Sequence, residues 1–290
     1  MAHLVKVRSK LFVRSNRRVL QALDGEYVSR SRGRGFEFED LREYHAGDDV
    51  RDIDWKATAR REEPLVRRYL TTHQRRLVLV ADTAASMRAV TPAGESKRDL
   101  AVLAGGVLGY LAVRHGDRVG LVHGDATGRA AVRARDGERR LEQLLGTVDD
   151  AVRDAVAGPD LPGLISDTLR QTGRDTIVVV ITDDVAVDAA LAAAVRRLGR
   201  SRDALWVSVA DANPVPLLRE GQVGDAAGRW RVPRHLVRRA GLAEAYEEQQ
   251  TALREELEAL LDEATISRCR LEREETAIRE LLGMLRRRRA

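Results

Sequence analysis

Thr176-Ile-Val-Val-Val-Ile-Thr-Asp183 is apolar and β-branched from Ile177 to Ile181 and closes on a carboxylate. A run this short, with no polar residue on alternate positions, is a strand buried on both faces. Upstream, Leu77-Val-Leu-Val-Ala-Asp82 repeats the design: an apolar strand with an acid at its end. Around these two, the pattern alternates. Strands are expected at Asp117–His123, Arg129–Arg135 and Ala204–Ala210. Helices are expected at Asp99–Arg114, Gly137–Gly146, Leu161–Gln171 and Val187–Leu198. Such alternation predicts a doubly wound α/β core, with a mainly parallel sheet covered by helices on both faces. The carboxyl ends of parallel strands open on the crevice where such sheets bind ligands, which makes Asp82 and Asp183 candidate site residues.

Outside the core the reading is shorter. Residues 4–23 carry Leu4, Val7, Leu11, Val19, Leu20 and Leu23 at roughly helical spacing, and Asp24-Gly25 ends that helix. Arg30–Gly35 reads as a loop and Leu65–Leu70 as a short strand. Beyond Pro214 and Pro216, a hairpin is expected within Gln222–Val232, then a long helix over His235–Ala264 with Leu253, Leu257, Leu260 and Leu261 on one face. A strand at Ile266–Leu271 and a basic helix at Glu274–Arg289 close the chain. The expected division is an N-terminal α+β extension (1–75), the α/β core (76–212), and a C-terminal hairpin, helix, strand and helix docked on it (213–290).

Composition narrows the function. The 290 residues are 43% hydrophobic and 33% charged, so a sizeable core lies beneath a heavily ionised surface. A single cysteine, Cys269, excludes an internal disulfide framework or a multi-cysteine metal cluster, and suits a reducing compartment. The longest apolar run, Val102–Val113, is interrupted by three glycines and is shorter than the ~20 residues a bilayer crossing needs. A soluble, cytoplasmic protein is expected. The net charge of +5 includes the Arg286–Arg289 run, which complements the dipole at a helix C-terminus. The basic ends lack interleaved aromatics for stacking bases, so nucleic acid is not an expected partner.

The densest chemistry lies in Gly47-Asp-Asp-Val-Arg-Asp-Ile-Asp-Trp55, continuing to Arg60. Asp48, Asp49, Asp52 and Asp54 stand beside Arg51 and Arg60. Such mixed charge around Ile53 and Trp55 reads as a folded, salt-bridged surface for structure or partner docking, with Trp55 as a buried anchor. The alternative is a metal-dependent phosphoesterase or nuclease, in which paired carboxylates hold two cations that activate water. His45 stands alone beside it. Gly33-Arg-Gly35 is not a phosphate-binding loop, because no Lys-Ser/Thr follows it. Ser86 has no evident His/Asp pair to make it a nucleophile, and Cys269 reads as a core residue.

Two motifs carry a resemblance. Asp82-Thr-Ala-Ala-Ser86 after the first core strand is similar to the metal-ion-dependent adhesion site of von Willebrand factor A domains. The Gly47–Arg60 signature resembles the bacterial family called domain of unknown function fifty-eight, and that likeness runs almost end to end. It implies a von Willebrand A-like core, no intrinsic catalysis, and a MoxR-type AAA+ ATPase as partner in chaperone-like maturation or assembly of a protein client. It also implies a weak Mg²⁺ site made by Asp82, Ser86 and Asp183. The site is degenerate: Ala84 stands where the motif has its first serine, and Pro159 in Gly158-Pro-Asp-Leu161 stands where the adhesion-site threonine belongs. Binding is then expected through the crevice above these residues, which would receive a partner's carboxylate directly or through a bridging cation.

Overall fold

The structure, a computed structural model, describes residues 2–14, 33–44, 53–61, 64–71, 74–219 and 241–287. It divides into two compact units, one of residues 1–23 with 75–290 and the other of residues 24–74. This corrects the expected boundaries at the N-terminus. Helix α1 (Ala2–Arg14) belongs with the α/β core, because its apolar face of Leu4, Val7 and Leu11 is fully buried. Its first turn is fixed by Glu142, whose carboxylate accepts from the backbone N–H of His3 (3.1 Å) and Leu4 (2.8 Å). Those are two of the orphan donors at a helix start.

In the smaller unit, β1 (Gly33–Glu43) pairs antiparallel with β2 (Leu65–Thr71), and α2 (Trp55–Arg61) lies between them in sequence. Strand β2 matches expectation. Strand β1 does not: the loop expected at Arg30–Gly35 is already strand from Gly33. The signal was the alternation of Phe36, Glu37, Phe38 and Glu39, a period of two.

The larger unit carries a six-stranded sheet of β3 (Arg76–Asp82), β4 (Arg118–Asp125), β5 (Gly128–Arg135), β6 (Thr176–Asp183), β7 (Asp203–Val209) and β8 (Ser267–Leu271). Their order is β5-β4-β3-β6-β7-β8, parallel throughout except for β5, which forms a hairpin with β4. The order reverses at β3, as in a doubly wound sheet, so the connections after β3 and β6 diverge and leave a crevice at their carboxyl ends.

Alternate residues feed two cores. Val78, Val80, Val178, Val180 and Trp206 face helices α5 (Leu161–Gln171), α6 (Ala189–Ser201) and α8 (Leu242–Glu263). On the other face lie α3 (Lys97–Arg114), α4 (Glu138–Arg153) and α9 (Glu274–Arg287), with α1 beyond them; α7 (Pro214–Arg219) is a short turn after β7. Helix α3 is buried almost all round, and its glycines permit this. A Cβ on Gly106 would lie 2.6 Å from Val7, and one on Gly109 2.5 Å from Leu141. The C-terminal expectations hold where described. Leu257, Leu260 and Leu261 of α8 are core, β8 joins the sheet, and Cys269 is buried there with its thiol pushed up to about 12 by desolvation. The expected hairpin at 222–232 lies outside the described residues.

Candidate functional site

Register brings the two strand-end acids together. Ala81 pairs with Ile181 across β3 and β6, so the next residues, Asp82 and Thr182, are neighbours at the switch point. The Asp82 carboxylate accepts from the Ala84 backbone N–H (2.9 Å) and from the Thr182 hydroxyl (3.0 Å). Asp183 points to a residue that sequence reasoning passed over. It accepts from Lys97 Nζ at 2.8 Å, and the same ammonium is ion-paired with Asp211 in the loop after β7.

Lys97 is the first residue of α3, immediately after the cap Ser96, whose side chain accepts from Asp99 N–H. The preceding loop is closed by Thr91 and by a Lys97 N–H bond to Ala89 O (3.1 Å), which aims the side chain inward under the strand ends. It is completely buried, 0% exposed, beside Asp82 at 1% and Asp183 at 3%. This corrects the expected geometry: the acids at the two strand tips do meet, but beneath packing rather than over an opening. A partner's carboxylate has no access to them, because the lysine side chain already fills their midst.

Electrostatics follow from that burial. Desolvation works against the Lys97 ammonium, but Asp183 and Asp211 outweigh it and hold its pKa above the usual value. Asp82 is pushed up to about 7, by burial first and then by the charge of Asp183, against the bonds from Ala84 and Thr182 and the charge of Lys97. Asp211 is pushed up to about 6, by burial and by Asp183, against Lys97. Half-buried Tyr246 of α8 feels Asp211 and Asp184 as well as Lys97, and burial and the acids raise its phenol. Asp184 is held by Arg270 through two bonds, Nε at 3.1 Å and Nη2 at 2.7 Å, and also accepts from Asp211 N–H.

The residues do not fit a divalent cation. Mg²⁺ requires near-octahedral oxygen donors. Ala84 and Pro159 supply none, Asp183 is committed to Lys97, and Asp160, next to Pro159, caps α5 through Gly163 N–H. Ser86 sits in the 3-10 turn Ala85–Arg88, its hydroxyl buried and without a hydrogen-bond partner. Among the described residues no group of His, Cys, Asp and Glu is arranged to hold a metal.

The charged signature is described only in part. Asp48, Asp49, Arg51 and Asp52, with His45, lie outside the described residues, and of Arg60 only the backbone is described. Asp54 caps α2: its Oδ1 accepts from Lys56 and Ala57 N–H, each at 3.0 Å. Trp55 is 65% exposed, which corrects the buried anchor expected of it. As the first residue of a helix whose cap precedes it, its direction follows from the turn rather than from its apolarity.

The rim of the crevice is stitched by hydrogen bonds to backbone carbonyls. Ala85 N–H bonds Ala157 O (2.8 Å), Ala212 N–H bonds Val90 O (3.3 Å), and Arg88 Nη1 bonds Ala155 O (3.1 Å). On the linked loops after β3 and α4, Val90 and Val156 are exposed, at 38% and 57%. Lys97, Asp211, Tyr246 and the Asp184–Arg270 pair were not found in sequence. One signal was present: a lysine at the first position of a helix sits against the positive end of the dipole, which calls for a compensating anion.

Residues 40–256 match the family described as Protein of unknown function DUF58. Uncharacterized proteins of Mycobacterium bovis and Mycobacterium tuberculosis are 32% identical to this chain over 203 residues. The match covers 69% of this chain and 63% of theirs, so the chain spans less than two thirds of the length of these relatives. Among solved structures, a von Willebrand factor type A protein from Catenulispora acidiphila is similar with a TM-score of 0.40 and 13% identity, over 76% of this chain and 43% of its own. The SpRpn10 VWA domain is similar with a TM-score of 0.33 and 9% identity, over 53% of this chain and 85% of its own.

Proposed function

The chain belongs to the DUF58 family, and from that premise we propose that it is a non-catalytic, cytoplasmic adaptor working with a MoxR-type AAA+ ATPase on a protein client. The observation that supports this reading is the carboxyl-terminal rim of the sheet. There, at a topological switch point, rigidly linked loops present Val90 and Val156 to solvent around a plugged, charge-compensated cluster. A fixed rim with apolar contacts suits recognition of a folded surface. The cluster beneath it, inaccessible and neutralised, suits the holding of those loops. The binding contribution passes from the strand-end acids themselves to the loops that they anchor, with exposed Trp55 as a second contact in the smaller unit. Among the described residues no helix is long and apolar enough to cross a membrane. The phosphoesterase reading gains nothing from Asp54, whose carboxylate is engaged in capping α2.

The test is co-purification of the chain with a MoxR-type ATPase, with and without EDTA, for the native protein and for Val156→Asp. A charge placed in a desolvated contact weakens association roughly 10- to 100-fold, while an exposed site leaves Tm unchanged. Association of the native protein that Val156→Asp reduces is the expected result. No association in either condition rejects the adaptor reading.

A further inference from the structure

Lys97 raises a chemical question that the adaptor reading does not answer. A lysine with no exposed surface, at the unfavourable end of a helix dipole, is costly unless anions surround it. Here they do: Asp183 at 2.8 Å and Asp211 in direct ion pair. These acids come from the end of β6 and the loop after β7, and Lys97 itself stands on the connection after β3, so one ammonium ties together three separate strand connections. In the adhesion sites that the Asp82 motif resembles, one divalent ion does this. Two oxygen donors are replaced in this chain, by Ala84 and Pro159, and Ser86 Oγ is left buried without a partner.

We propose that Lys97 is the resident cation of the strand-end site: its ammonium takes the charge-balancing place of the divalent ion and holds the rim loops without metal. The acids are retained because the lysine needs them. The lost donors are tolerated because an ammonium makes at most three hydrogen bonds, whereas Mg²⁺ requires six ligands. The site is therefore closed to metal. Removing the lysine side chain leaves Asp183 and Asp211 without their counter-ion. This assignment does not depend on any partner.

The experiment is a titration of the purified chain with Mn²⁺, followed by calorimetry and by Tm. The native protein should take up no stoichiometric Mn²⁺, and its Tm should be the same in EDTA and in excess Mn²⁺ or Mg²⁺. Lys97→Ala should lose roughly 10 °C in EDTA, the effect of leaving buried carboxylates unpaired, and Mn²⁺ should not restore it, because the remaining donors are not arranged to hold a metal. If Lys97→Ala does not fold in EDTA, Lys97→Met combined with Asp183→Asn removes charge and counter-charge together. That double variant should fold and melt within a few degrees of native. Stoichiometric Mn²⁺ uptake by the native chain would overturn the assignment. So would a Lys97→Ala protein that melts like native, or a Lys97→Met, Asp183→Asn double variant that does not fold.

Discussion

Asp82 shows how a residue's chemistry follows from its surroundings. It is an ordinary carboxylate by sequence, yet burial and Asp183 push its pKa up to about 7 from 3.8. The folded chain therefore keeps a proton that the unfolded chain releases, between pH 3.8 and about 7. By linkage, stability falls as pH rises through that window and stays lowered above it. Asp211, pushed up to about 6, acts with the same sign over a narrower window. Asp82→Asn keeps an acceptor for Ala84 N–H and removes the titration. It should melt close to the native protein below pH 3.8, and above about 7 should be more stable by on the order of a few kcal/mol. Thermal melts of the two proteins across this range decide the matter. A variant equally destabilised at both ends would show that the Asp82 charge is not a liability of the fold. Lys97 acts with the same sign in a higher window: its pKa is raised, so the stability of its ion pairs is present below its ordinary value of 10.5 and lost as pH rises above it.

Among the helices, α6 and α8 carry the sharpest packing constraint. The end of α8 approaches α6 so closely that a Cβ on Gly199 would stand 2.2 Å from the Ala264 backbone oxygen. Backbone cannot swing aside as a side chain does. Gly199→Ala should therefore cost about 1–3 kcal/mol, as overpacking does, and lower Tm by several degrees. Gly146 of α4 is the control. A Cβ there meets nothing within 4 Å, so Gly146→Ala should leave stability unchanged or raise it by up to about 1 kcal/mol, because alanine is the better helix former. Equal effects at the two positions would refute the close approach. The sequence did not show that Gly199 marks a close contact, since a single glycine near a helix end reads as a terminus.

For the whole molecule, the division into units has a dynamic consequence. The larger unit buries two layers against a six-stranded sheet, whereas the smaller one has, among the described residues, a two-stranded pair and a short helix. A two-stranded ribbon is marginally stable, and local opening is cheapest where few apolar contacts resist it. Hydrogen exchange should show the amides of β1 and β2 exchanging well before those of β3 and β6, which should open only with the whole core. Matching protection in the two sheets would mean that the smaller unit draws its stability from elsewhere.

The doubly wound core was legible because its signals are local: Ile177–Ile181 and Leu77–Ala81 can only be strands buried on both faces, whatever lies around them. The charged signature likewise marked its family without any coordinates. The site was legible only by half. Asp82 and Asp183 were found because strand ends are local, but their accessibility was not, because Lys97 reaches its partners across 86 and 114 positions of chain. Strand order alone brings those residues to one point, and no periodicity encodes it. Trp55 carries the same lesson with opposite sign, since an aromatic side chain goes where its helix turn directs it, and here that is towards water. Patterning along the chain therefore settled which segments make the sheet, while long-range packing decided which charges meet and which of them water can reach.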